Sequence, residues 1–289
     1  MQKYIELARP YLKRSWLKRE STECNTASIA IAKNGLHASG KMESRTHLLD
    51  VTSEQAALAI ATARGDPCVS EVITIAQGDW SLSILAIKIM VDHARRVGTR
   101  IAYSAYSVSG EKLFSCTDVS DLFYTPGEDI IENISSWNPE KNEKEIEIAE
   151  NSTLELRAAA IRGSRFHFSS GTATKYGAAV EAEGKLYSAG AYSSYDRRLN
   201  LHAEMVAALC AIADGNKNIT KVGIISNKFK KEPVQMCGCC RQFFSEIEKK
   251  TGRKITIIGF AYETDSSFET TLDKYLPGAW HSGDPLAQK

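Results

Sequence analysis

Hydrophobic positions along this chain change period several times, and each change marks an element. Near the N-terminus Ile5, Ala8, Leu12 and Trp16 recur at helical spacing, which predicts a helix over Gln2 to Leu17, kinked or restarted at Pro10. Short β-like runs follow: a strand at Ala27 to Ala32, a turn at Asn34-Gly35 and a second strand to Gly40. Ser53 to Arg64 reads as a helix with Asp50 or Thr52 as its cap. Val72 to Ala76 is a strand, Leu82 to Val97 a helix and Arg100 to Ser104 a strand, and the series ends near Tyr124-Thr125-Pro126-Gly127.

The series then starts again. Leu154 to Ile161 is helical, and strands at Gly177 to Ala182 and Lys185 to Ala189 flank a Glu183-Gly184 turn. A helix at Leu201 to Ala213 (Asn200 its cap), a strand at Val222 to Ser226, a helix opening at Cys237 and a strand at Ile255 to Ala261 follow, closing at Tyr275-Leu276-Pro277-Gly278. Asn34-Gly35 matches Glu183-Gly184, Ser39-Gly40 matches Ala189-Gly190, Glu54 matches Glu204 and Pro126-Gly127 matches Pro277-Gly278, all at offsets of 149 to 151 residues. Self-similarity at one fixed, long period predicts a duplicated α/β chain, each copy a mixed sheet flanked by helices. The expected boundaries are a first copy over residues 1–127, a linker rich in Glu, Lys and Asn over 128–151, and a second copy over 152–289.

Composition narrows the class. At 289 residues two domains are expected, and Lys+Arg 36 against Asp+Glu 35 argues against a broad electrostatic nucleic-acid footprint. Seven cysteines, an odd number without a secretory signal, point to a reducing, cytoplasmic setting. No apolar run approaches the roughly eighteen residues of a membrane span.

The chemistry concentrates in the second copy. His202 supplies an imidazole, and Cys237 and Cys240 supply two sulfurs three residues apart on one helix face. One nitrogen and two thiolates suit tetrahedral zinc and leave a fourth position open. Glu204 is not needed as a ligand and is placed to move protons. Both ligand groups are expected in the first turn of a helix, where the dipole favours thiolates. A lone H-x-E is common by chance, and a lone C-x-x-C is as often structural or redox-active. The two in this order, each at a helix start after a β-like run, point to catalytic zinc. Cys239 points about 100° from Cys240 and is read as a spectator.

This pairing resembles the cytidine deaminase superfamily, whose signature is H-x-E followed by P-C-x-x-C. The resemblance implies that His202, Cys237 and Cys240 hold Zn2+ and that Glu204 shuttles protons in a hydrolytic deamination. It covers Leu154 to Leu286 with specific motifs and the first half only as an echo. The family's proline before the first cysteine is Met236 here, with Pro233 nearby. In the first copy Thr52 stands where His202 does, and Leu82 to Val97 contains no cysteine, so that copy is expected to be non-catalytic. His93 lies too deep in its helix to replace a sulfur.

Substrate contacts are less sharply indicated. The family's strand ends Gly-x-Asn-x-Glu, with Asn and Glu on the ribose, and counting from Gly190 this chain offers Tyr192 and Ser194. Ala203 supplies a backbone N–H near the reacting atoms, and Trp280 in Leu276-Pro277-Gly278-Ala279-Trp280 corresponds to a family aromatic beside the base. Phe166 and Phe168 line either a pocket or the core, and Arg197 and Arg198 meet either a phosphate or solvent. The expected activity is hydrolytic deamination of a cytosine-containing nucleoside, cytidine, deoxycytidine or a modified relative. Alternatives are a blasticidin S-type antibiotic, a phosphorylated nucleotide or single-stranded nucleic acid as substrate, or a zinc-stabilised pseudoenzyme that binds partners. The expected assembly is a homodimer with a small nucleoside as its partner molecule.

Overall fold

A computed structural model of the chain describes residues 1–16, 24–44, 49–122, 152–169 and 173–276. The 128–151 linker, both Pro-Gly ends and Trp280 lie outside the described residues. The first half contains α1 (Gln2–Arg14), β1 (Asn25–Ala32), β2 (Leu36–Gly40), α2 (Ser53–Ala63), β3 (Val69–Gln77), α3 (Ile84–Val97), β4 (Ala102–Ser107) and β5 (Lys112–Cys116). The second contains α4 (Ser152–Ser164), β6 (Tyr176–Ala182), β7 (Lys185–Gly190), α5 (Ala203–Ala213), β8 (Ile219–Ser226), α6 (Gly238–Thr251), β9 (Thr256–Phe260), β10 (Ser267–Thr271) and the short α7 (Leu272–Tyr275).

The two sheets share one topology. Their orders are β2-β1-β3-β4-β5 and β7-β6-β8-β9-β10. In each, the hairpin and the third strand are antiparallel and the third and fourth strands are parallel. Even the irregularity repeats: the register shifts at Ile31/Ala32 and at Glu181/Ala182, 150 residues apart. The edge strands β5 and β10 escape sequence reading because both carry mostly exposed side chains, so no apolar face marks them. β4 begins at Ala102, later than expected, because its parallel register on β3 pairs Glu71 with Ala102.

Helices cover both faces of each sheet, and α2 and α5 also pack on each other between the halves. Every residue of α5, and every residue of α2 from Ser53 to Thr62, is buried. A helix apolar all round is buried all round, which is why neither sequence shows an amphipathic stripe. One apolar core therefore runs through both halves, with Ala56 and Ile60 of α2 joined to Val206 and Cys210 of α5. Thr52, not Asp50, caps α2, its Oγ1 accepting the Gln55 N–H at 3.2 Å. Asp50 instead accepts the Ser44 N–H at 2.6 Å.

Close backbone approach positions α4 on the second sheet. A Cβ built on Gly177 would meet the Ala160 carbonyl oxygen at 2.1 Å and the Ser164 nitrogen at 2.5 Å. Both contacts are helix backbone, which cannot swing aside. Gly177→Ala is expected to lower stability by about 3 kcal/mol, the upper part of the usual overpacking cost. A denaturant midpoint that does not move would show that α4 stands off the strand.

Candidate metal and deaminase site

Two helix starts converge at the C-terminal side of the second sheet. His202 is the N-cap of α5 and Cys237 the N-cap of α6, both with extended backbone. Each therefore sits one position ahead of the first turn in which the spacing placed it. Asn200 is not the cap of α5: it ends the short 3-10 turn Arg197–Leu199, and its Oδ1 accepts the Ser194 N–H at 2.7 Å. The turn before Cys237 has a clamp of its own. Arg241 donates to the Met236 carbonyl at 2.8 Å and to the Tyr275 carbonyl at 3.1 Å, with its guanidinium 3.5 Å from the Tyr275 ring centre. A stacked, doubly bonded arginine restrains this turn where a proline would have restricted φ.

His202 Nδ1 lies 3.3 Å from Cys237 Sγ and 3.3 Å from Cys240 Sγ, and all three donor atoms fall within 4.8 Å of one another. Tetrahedral zinc with ordinary bond lengths would set nitrogen and sulfur ~3.6 Å apart, so these residues fit that ion. Cys240 is buried, His202 and Cys237 are partly exposed, and Cys239 is exposed and outside the cluster. The groups are strongly coupled. A hydrogen bond from Cys240, and then one from His202, pulls the Cys237 thiol down to about 3 against the cost of burial. Its bond to Cys237, reinforced by burial, pushes the Cys240 thiol well above its ordinary value. The bond to Cys237 raises the His202 imidazole despite burial.

Glu204 projects from the first turn of α5 with 5% of its surface exposed. Burial raises its carboxyl above the ordinary value, opposed chiefly by the charge of His202. A carboxylate with a raised proton affinity beside a zinc-fitting cluster is suited to accept and return protons. The site opens onto a cavity of about 770 Å³, whose wall includes His202, Glu204 and Cys237 together with Ala203, Ser194 and Arg197. A space of that size holds a nucleoside-sized ligand.

The other residues singled out from the sequence separate into two groups. Ser194 and Ala203 reach the cavity; Tyr192 does not line it. Tyr192 is 1% exposed and its hydroxyl meets His93 Nδ1 of the first half at 2.8 Å. Phe168 stacks on Tyr192, with ring centres 4.9 Å apart, and Phe166 packs at Gly65 of the first half. Arg198 pairs with Asp196 at 2.7 Å, leaving Arg197 on the cavity wall. His167, Asn200 and Gln235 also line the cavity and went unread in the sequence. Asn200, two residues before His202, carried the only local signal, and it looked like a helix cap.

The matching position in the first half is filled differently. Glu54 is buried and accepts from Thr74 Oγ1 at 2.9 Å, from the Tyr103 hydroxyl at 3.1 Å and from Ser53 Oγ at 3.4 Å. Ser28 Oγ lies 2.8 Å from both Ser53 Oγ and Thr74 Oγ1. Hydroxyls thus satisfy the carboxylate where the second half has nitrogen and sulfur. Their signal in the sequence is polar residues at inward positions of otherwise apolar strands, Ser28 in β1 and Thr74 in β3.

Against known proteins, no family model and no curated protein matches the chain. Solved structures do. It is similar to a cytidine deaminase from Burkholderia pseudomallei with 22% identity and a TM-score of 0.39, over 44% of this chain and 97% of that one. A cytidine deaminase from Mycobacterium leprae aligns at 19% identity and a TM-score of 0.36, over 44% of this chain and 99% of that one. One from Mycobacterium tuberculosis aligns at 17% identity and a TM-score of 0.37, over 46% and 99%. These three solved structures, to which the chain is similar over just under half its length, are cytidine deaminases.

Proposed function

We propose that the chain is a zinc-dependent hydrolase that deaminates a cytosine-containing nucleoside or a close relative. The observation that carries this reading is one geometry: His202, Cys237 and Cys240 within 4.8 Å of one another, and Glu204 nearby on the wall of an open cavity. His202, Cys237 and Cys240 would hold zinc, which when bound supplies a Lewis acid that activates water at neutral pH. Glu204 takes a proton from the attacking water and delivers it to N3 of the ring as the oxygen adds at C4. It takes the second proton of that oxygen and passes it to the exocyclic amine, so that the C4–N bond breaks and ammonia leaves with the uracil form. The Ala203 backbone, at the start of α5 and on the cavity wall, fits a role in orienting the attacked carbon.

In this reading residues 152–289 are the catalytic domain and residues 1–127 a non-catalytic one, since Thr52 caps a helix where His202 would ligate. Arg197 on the cavity wall supports a phosphorylated nucleoside as the second reading. Among the described residues no helix is long and apolar enough to cross a membrane.

Metal analysis of the purified chain, beside ammonia release from cytidine, deoxycytidine, their phosphates, adenine nucleosides and single-stranded oligonucleotides, tests the assignment. About one zinc per chain and release from a cytosine nucleoside or nucleotide are expected. A zinc-loaded chain that releases ammonia from none of them would leave only a binding role.

A further inference from the structure

The loop that forms one wall of the cavity, residues 192–200, is held largely by the other half of the chain. His93 Nδ1 meets the Tyr192 hydroxyl at 2.8 Å, while His93 Nε2 meets the Pro67 carbonyl at 2.7 Å. A carbonyl can only accept, so Nε2 carries the proton, Nδ1 accepts, and the Tyr192 hydroxyl donates. Burial lowers the His93 imidazole to about 4, which keeps it in that neutral form. Phe168 stacks near-parallel on both Tyr192 (8°) and His93 (20°), with ring centres 4.9 and 5.2 Å away, so the three rings form one cluster.

Beside His93, α3 contributes a buried ion pair and one further hold on the loop. Asp92 and Arg96 form an ion pair of 2.9 Å with both side chains fully buried. Burial raises the Asp92 carboxyl, opposed chiefly by the charge of Arg96, and among the described residues its Oδ2 is buried without a hydrogen-bond partner. Lys88, one turn earlier, reaches Asp196 at 3.6 Å. From α2, Gln55 donates to the Leu199 carbonyl at 2.7 Å. Tyr192, Asp196 and Leu199 thus each answer to a side chain of the first half.

This arrangement is expensive for a mere packing surface. Among the described residues both terminal nitrogens of Arg96 are buried without a hydrogen-bond partner, and the guanidinium lies over the Phe168 ring at 5.4 Å. Buried ion pairs contribute little net stability, because desolvation offsets most of the attraction. The first-half side chains that do reach the wall are His93, Lys88 and Gln55. We propose that the first half is a positioning partner for the site, with His93, Lys88 and Gln55 as positioning residues that set the 192–200 wall through Tyr192, Asp196 and Leu199.

The inference rests on the deaminase reading for its kinetic arm alone. Three full-length variants test it: Gln55→Met, Tyr192→Phe and Lys88→Gln, the last at a partly exposed side chain. Amide hydrogen exchange without ligand is expected to quicken at residues 192–200 by about tenfold in Gln55→Met and Tyr192→Phe and about threefold in Lys88→Gln, with β6, α5 and α6 unchanged. With an active substrate, KM is expected to rise about tenfold in the first two variants, with kcat within threefold and zinc retained. Exchange that stays at wild-type rates in the loop, or quickens uniformly along the chain, overturns the proposal, as does a loosened loop with unchanged KM. If the wild type releases ammonia from nothing in the panel, the deaminase reading fails, and the exchange arm alone decides the positioning role. Should Gln55→Met not fold, the other two variants carry the same outcomes.

Discussion

Glu204→Gln is expected to abolish turnover while leaving metal and fold in place. The amide has the carboxylate's shape but cannot carry a proton between water, ring and amine, so a loss of about 10⁴-fold in kcat is expected, some 5 kcal/mol of barrier. Stability should hold or rise, because burial penalises the charge that the substitution removes. Zinc content should match the wild type, since the metal-fitting donors are His202, Cys237 and Cys240. Ammonia release within tenfold of the wild type would remove Glu204 from the chemistry.

Cys240→Ala is expected to empty the site of metal and cost the chain stability together. Cys240 is fully buried at the start of α6, between the α5 and α6 helix ends that the donors join. An ion that binds only the folded state adds about 4 kcal/mol at a thousandfold excess over Kd. Losing it, with a further ~1 kcal/mol for the truncated buried side chain, should lower Tm by many degrees and bring turnover to background. Wild-type protein stripped with a chelator should melt close to the variant, and added zinc should restore only the wild type. A variant that keeps one equivalent of zinc, or a wild type whose Tm ignores the chelator, would refute the ligand assignment.

Much of the fold was legible because its signals are local. The repeated spacing of hairpin turns, Glu54 and Glu204 at one offset, and the alanine-rich runs of α2 and α5 lie in plain stretches of sequence. β5 and β10 were not legible: at the sheet edges, with little side-chain burial, they have no alternation to betray them. The donor set was readable for a related reason. H-x-E and C-x-x-C are short-range patterns, and each marks a helix start whatever else surrounds it.

Substrate-wall residues were harder. Tyr192 occupies the position counted from Gly190, yet its ring turns into the seam between halves, because Phe168 and His93 offer it a stack and an acceptor. Nothing near Tyr192 in sequence announces His93, 99 residues earlier. Likewise Gln55 and Leu199 meet across 144 residues. From its sequence alone this chain determined two α/β halves of one plan and placed three metal-fitting donors and Glu204 in the second. Only the packed structure decided that these donors converge on a cavity and that the first half holds the wall opposite. Spacing along a helix or strand fixes which side chains share a face, whereas which faces meet depends on how α2 and α5 bury each other in the common core.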